Sequence, residues 1–367
     1  MRWGFQAIIL RSITCRAMKF DFVSILCLYF LMDKPIDSNS RLFDIVRLLA
    51  ENRKTLQSDR KNLIDFFELT KCLPVENLDQ YERAIRQEIN FSEHRTSLFR
   101  GLLSSRKHRF IIPWLDLCNF DGYRRENALR IPSDGAPNAF LFAIMLRRLN
   151  DWVPEVRSAA IENIPTIAAK TNPEIIIAAL WGILPNLTSW GRIPKREMET
   201  LLSLTDTPQV VTKIVTTVEK SSAGPAVFVL SQLSRNNNVD EFLPRLATSS
   251  IQPAVRAKIY KWLIDRKVIW LEGKRWVWID RMYCKGGYEP FHGERVLLCE
   301  TPVRELIAQA ATDQSAFVRR VAASALIAHR KSIGHEGVEI ATVLSQDRYP
   351  SVAERGQFFL SKLEESE

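Results

Sequence analysis

With 367 residues, 46% hydrophobic and 25% charged, the chain has the composition of a folded protein that buries a substantial interior, which excludes a low-complexity or disordered polypeptide. Lys and Arg number 51 against 42 acidic residues, a formal charge of +9 that permits attraction to nucleic acid, anionic lipid or acidic proteins and identifies none of them. The six cysteines include no CxxC pair, which points to a reducing compartment, the cytoplasm, and away from a disulfide framework.

Residues 1–37 read as an N-terminal extension. The apolar run 22–32 follows Arg11, Arg16 and Lys19, but it is far shorter than the roughly 20 residues of a membrane span. Tyr29, Phe30 and Leu31 also make a poor signal-peptide cleavage site. The expectation is a segment upstream of a later start, with Met18 and Met32 as alternatives, or a loosely docked extension; no membrane span is expected. Residues 38–104 read as an N-terminal helical cap. Within it, 41–51, 56–71 and 77–90 place apolar residues at helical spacing, as Leu42, Ile45, Val46 and Leu49 do. Residues 105–261 continue as helices, with starts marked by proline at Pro173, Pro194, Pro208 and Pro225 and a polar turn at 235–240. Pro165 is expected to kink or end the helix that contains it.

A short pattern recurs along this region and again over 301–367. Asp151, Pro154, Val156, Arg157 and Ala160 have counterparts in Asp313, Val318, Arg319 and Ala322 at the same offsets. Partial copies begin at Asn119, Ser250 and Asp347, with Arg125, Pro253, Arg256 and Pro350 in register. Starts at 119 and 151 are 32 apart, and those at 313 and 347 are 34 apart. The interval 151–250 fits three such units and 250–313 fits two. Each unit has room for two helices and two turns, and needs its neighbours to cover its apolar face. In that arrangement the first-position Asp accepts free N–H groups at the start of the second helix, and the proline opens that helix. The arginine is then placed to join adjacent units.

This Asp–Pro–Val–Arg–Ala arrangement resembles the HEAT-repeat family, particularly its short bacterial repeats, over roughly residues 105–364. The resemblance implies an all-α fold: a right-handed superhelical HEAT-like solenoid of antiparallel helix pairs, armadillo-like in its general form. It implies a scaffold for protein binding more than an enzyme. It assigns Asp151, Pro154, Arg157, Arg256, Asp313 and Arg319 to structural repeat positions. A weaker resemblance, at the scaffold alone, is to the HEAT-like alkylpurine DNA glycosylases, for which Asp151, Trp152 and Arg157 are the residues to compare.

Residues 262–300 break the rhythm and read as an irregular aromatic and basic insertion. Four of the nine tryptophans lie between Trp262 and Trp278. Three readings of this composition stand side by side: packed staples, a protein-binding hot spot, or a surface that stacks bases and binds phosphates. On either binding reading the contact residues are Lys267, Trp270, Lys274, Arg275, Trp276, Trp278 and Arg281. Trp262, three residues after Ile259, belongs to the core. A second basic cluster comprises Arg106, Lys107, Arg109, Arg124, Arg125, Arg130, Arg147 and Arg148.

No GxSxG, GxGxxG, Walker or HExxH sequence is present, so neither catalytic residues nor a cofactor is expected. Cys284, His292 and Cys299 are irregularly spaced and lack a fourth ligand, so no metal site is expected. The expected function is a non-enzymatic scaffold with a protein partner; the alternative is a nucleic-acid-binding protein with a DNA-repair activity.

Overall fold

The structure, a computed structural model, describes residues 40–52, 60–98, 110–131, 133–191 and 193–365. The extension over 1–37 and the cluster members Arg106, Lys107 and Arg109 lie outside them. Helices dominate, and β structure among the described residues is confined to one two-stranded sheet.

The N-terminal helices are α1 (Ser40–Glu51), α2 (Arg60–Lys71) and α3 (Leu78–Leu98). α1 packs on both others, and α2 and α3 reach α6 of the following array. Leu42, Ile45, Val46 and Leu49 form the buried stripe of α1 that their spacing predicts. α3 extends beyond the expected end at 90, because no proline or glycine interrupts it.

Next come α4 (Pro113–Asp116), α5 (Gly122–Arg130), α6 (Ala139–Arg147), α7 (Pro154–Ala169), α8 (Pro173–Ile183) and α9 (Lys195–Leu202). They are followed by α10 (Pro208–Lys220), α11 (Ala226–Leu233), α12 (Leu243–Ser249) and α13 (Pro253–Asp265). After the sheet lie α14 (Val303–Ala311), α15 (Ala316–Ala328), α16 (Arg330–Ile333), α17 (Val338–Ser345) and α18 (Pro350–Glu364). Contacts alternate along the chain. α5 meets α7 and α7 meets α9; α11 meets α13, α13 meets α15 and α15 meets α18. α6 meets α8 and α8 meets α10, while α12–α13, α14–α15 and α17–α18 pair within themselves. Pro154, Pro253 and Pro350 each open a helix, where the missing N–H leaves no bond unmade. α7 runs through Pro165 without ending there, a correction in part to the expected kink or break.

Two corrections concern residues 250–313. Helix α13 continues through Trp262, which is 1% exposed, and stops only at Arg266, whose φ of 55° is left-handed. Residues 267–296 then form an ordered antiparallel hairpin, β1 (Lys267–Asp280) and β2 (Lys285–Val296), in place of the irregular insertion expected from 262. Alternating β-branched and aromatic residues favour strands here, so the sheet that interrupts the helices is a regular one. The interval also holds one helical unit, not two. Removing the thirty residues 267–296 from the 63 between Ser250 and Asp313 leaves 33, the ordinary repeat step.

Candidate functional site

The repeat positions account for themselves structurally. Asp151 and Asp313 lie in turns between paired helices, and the Oδ1 atoms accept the N–H of Val153 at 3.0 Å and of Ser315 at 2.7 Å. Asn119 and Asp347 do the same for Asp121 and Tyr349. Each repeat arginine closes the turn six residues before it: the carbonyls of Asn119, Asp151, Ser250 and Asp313 accept from Arg125, Arg157, Arg256 and Arg319. The same guanidinium reaches the next turn. Arg125 holds Asp151 through paired bonds of 2.8 and 2.7 Å, Arg256 holds Asp313 at 2.7 and 2.7 Å, and Arg319 holds Asp347 at 2.5 and 3.1 Å. Arg157 makes a single 3.3 Å bond to Glu197. This forked carboxylate–guanidinium geometry is the strong form of the interaction.

Burial alone pushes the Asp151 carboxyl up, yet the bonds from Arg125 and the charge of Arg148 hold it below its ordinary value. Asp313 is depressed in the same way by Arg256, against its own burial. Asp151 accepts from Arg125, Arg148 and Val153 at once, so its lone pairs are engaged.

The described members of the second basic cluster are all held by carboxylates, most of them in an internal ion network. Arg148 is buried between Glu82 and Asp151, Arg147 pairs with Glu82 and Asp79, and Arg124 pairs with Asp116. Arg130 bridges Glu126 and Glu162. Burial, then the neighbouring Arg148 charge, brings Arg147 down to about 10. Beside this network, burial and the Glu82 charge push the Cys118 thiol up to about 12.

The hairpin has two unlike halves. Its root is fastened to the body: Val268 is buried, and Leu297 N–H donates to the Arg266 carbonyl at 2.9 Å, bringing the two ends together. Arg295 donates to the carbonyls of Ser234 and Asn236 and pairs with Asp240. Trp270 rests under the Arg235 guanidinium, 5.5 Å from its ring centre, and donates its indole N–H to Glu272. Trp270 is thus a half-buried fastening, and Lys267 is tied to Glu294 at 3.0 Å. Between the root and α9 lies a groove of about 760 Å³ whose walls include Met198, Leu202, Arg235 and Trp270.

The outer half is left exposed by the described residues. One face carries Lys274, Trp276 and Trp278 opposite Pro290, Tyr288 and Gly286. Trp276 is 47% and Trp278 48% exposed; Lys274 and Arg281 are exposed too, as is Arg275, which falls on the opposite face across from Glu289. The rings lock each other edge to face: Trp276 lies 5.6 Å from Trp278 and 5.1 Å from Tyr288. A Cβ on Gly286 would fall 2.5 Å from the Trp276 ring, so glycine is what lets the indole cross to β2. Tyr288 and Gly286 are members that the sequence reading does not assign to the site. The signal for them was the period of two in Lys274, Trp276 and Trp278, with the side-chain-free pair Gly286–Gly287 downstream.

Cys284 sits in the hairpin turn and Cys299 beyond its root, held apart by the length of β2. Among the described residues no His, Cys, Asp and Glu cluster has metal-binding geometry, and no helix is long and apolar enough to cross a membrane. No known protein family, curated protein or solved structure matches the chain.

Proposed function

We propose that the chain is a HEAT-type scaffold, a right-handed superhelical solenoid of antiparallel helix pairs acting in the cytoplasm, which holds out its hairpin to bind a protein partner. The solenoid reading is supported by the alternating helix contacts and by arginine–carboxylate rungs that join one turn to the next. The binding reading rests on one observation: Trp276, Trp278 and Tyr288 form an ordered aromatic platform that no other described residue covers. A two-stranded ribbon is marginally stable by itself, and aromatic side chains left in water are the characteristic anchors of protein interfaces. Trp276 and Trp278 serve as anchors, Lys274, Arg275 and Arg281 attract, and Trp270 and Lys267 hold the root.

The test is affinity capture from native cells with the parent chain and a Trp276→Ala/Trp278→Ala variant. The expected result is a protein retained by the parent and lost from the variant; retention by both counts against the hairpin. A second reading, nucleic-acid binding, is favoured by the exposed cations Lys274, Arg275, Arg281 and Lys285. It requires retention of mixed DNA and RNA that weakens steeply between low and moderate salt. A base-excision activity draws no support from Asp151, whose carboxylate is fully engaged.

A further inference from the structure

Resting on the reading of the hairpin as the binding element, we propose that its partner is an acidic protein segment. This segment docks across the aromatic face and does not join an edge as a third strand.

Charge divides along the hairpin. At the root, each cation has a carboxylate: Lys267 with Glu294, Arg235 with Glu272, and Arg295 with Asp240. Farther out, Lys274, Arg275, Arg281 and Lys285 are exposed, and among the described residues none forms an ion pair. The acids there are Asp280 and Glu289. The Oδ1 of Asp280 already accepts the N–H groups of Met282 at 2.9 Å and Tyr283 at 3.2 Å, so it serves the turn. Glu289 stands directly across from Arg275, so the outer half carries four cations against two carboxylates, a net positive charge next to an apolar platform. A partner that covers the indoles and supplies carboxylates satisfies both.

The edges discourage strand addition. A third strand needs an uninterrupted row of N–H and C=O groups. β1 breaks that row with bulges between Leu271 and Gly273 and between Trp278 and Asp280. Pro290 removes an N–H from β2. The face, by contrast, is preformed: Trp276 is fixed between Trp278, Tyr288 and the bare backbone of Gly286. That packing also argues for polypeptide over nucleic acid. Bases stack on open ring faces, whereas these rings are turned edge to face, at 85° and 76°.

The probe is a labelled random copolymer of glutamate and tyrosine, titrated against the full chain at moderate salt. A single-stranded oligonucleotide and vesicles of phosphatidylcholine with phosphatidylserine are run in parallel. The copolymer is expected to bind. Lys274→Glu/Arg275→Glu should weaken it tenfold or more, and Gly286→Ala, which displaces the indole, should weaken it severalfold. Pro290→Ala, which restores an edge N–H, should leave it unchanged. Lys274, Arg275 and Pro290 are exposed and Gly286 lies against the Trp276 ring, and unchanged circular dichroism melts establish that each variant is folded. No copolymer binding, binding indifferent to the charge reversal, or preferential binding of the oligonucleotide or the vesicles through the same residues each overturns the proposal. Capture of the native partner separates this failure from failure of the broader reading. A partner lost with Trp276→Ala/Trp278→Ala but kept with Lys274→Glu/Arg275→Glu sinks the acidic segment alone. A partner kept by both variants sinks both readings.

Discussion

Arg256 shows how much a single repeat residue carries. Its guanidinium joins the Ser250 carbonyl to both oxygens of Asp313, with little of either side chain exposed. Replacement by Ala leaves a half-buried carboxylate and a turn carbonyl without their donor, a loss of about 3 kcal/mol, so a thermal melt should fall by several degrees. The acid limb follows from Asp313 itself, whose folded value lies below its unfolded one. Its contribution is complete above the ordinary aspartate value of 3.8 and is lost as pH falls through the depressed folded value. Asp313→Asn should therefore destabilise at neutral pH, and the difference from the parent should shrink as pH drops below about 4. A difference constant with pH would contradict the bond as the source. Cys118 gives a chemical check on the neighbouring network. Buried and pushed up to about 12, its thiol should resist iodoacetamide near neutral pH in the native protein. Exposed Cys284 should react, and peptide mass analysis distinguishes the two.

The hairpin is an insertion into a turn that would otherwise link α13 to α14. The bond between Leu297 and Arg266 closes its neck, and α13 and α14 remain in contact across it. Excising residues 267–296 and joining the ends with a short Gly-Ser linker should thus leave a folded, cooperatively melting helical protein. Some stability is lost with buried Val268, with Glu272, the carboxylate partner of Arg235, and with Arg295, the guanidinium partner of Asp240, on the order of 1–3 kcal/mol. Binding to the partner should disappear. Loss of helical circular dichroism on excision would instead make the hairpin an integral part of the core.

Across the whole molecule, the rungs differ in strength. Those at Asp151, Asp313 and Asp347 are forked, whereas Arg157 reaches Glu197 through one 3.3 Å bond. In the proposed solenoid, stability depends on nearest-neighbour interfaces. Backbone amides of α9 are therefore expected to exchange hydrogen faster than those of α15 and α18. Equal protection would show that packing, not the rungs, sets local stability.

Most helices, their proline starts and the 32- and 34-residue offsets of the pattern were legible in the sequence, because each follows from short-range sterics and apolar spacing; the number of units between 250 and 313 was not. The sequence also marked Trp276 and Trp278, since composition alone sets them apart. Tertiary structure decided the rest. That 267–296 pairs as a ribbon depends on cross-strand neighbours such as Trp276 and Gly286, ten residues apart, which no helical period registers. That Trp270 is fastened while Trp278 is exposed depends on Arg235 being brought over the one ring and not the other. Local propensity sees the residue and its near neighbours; burial is a property of what the rest of the chain places against it.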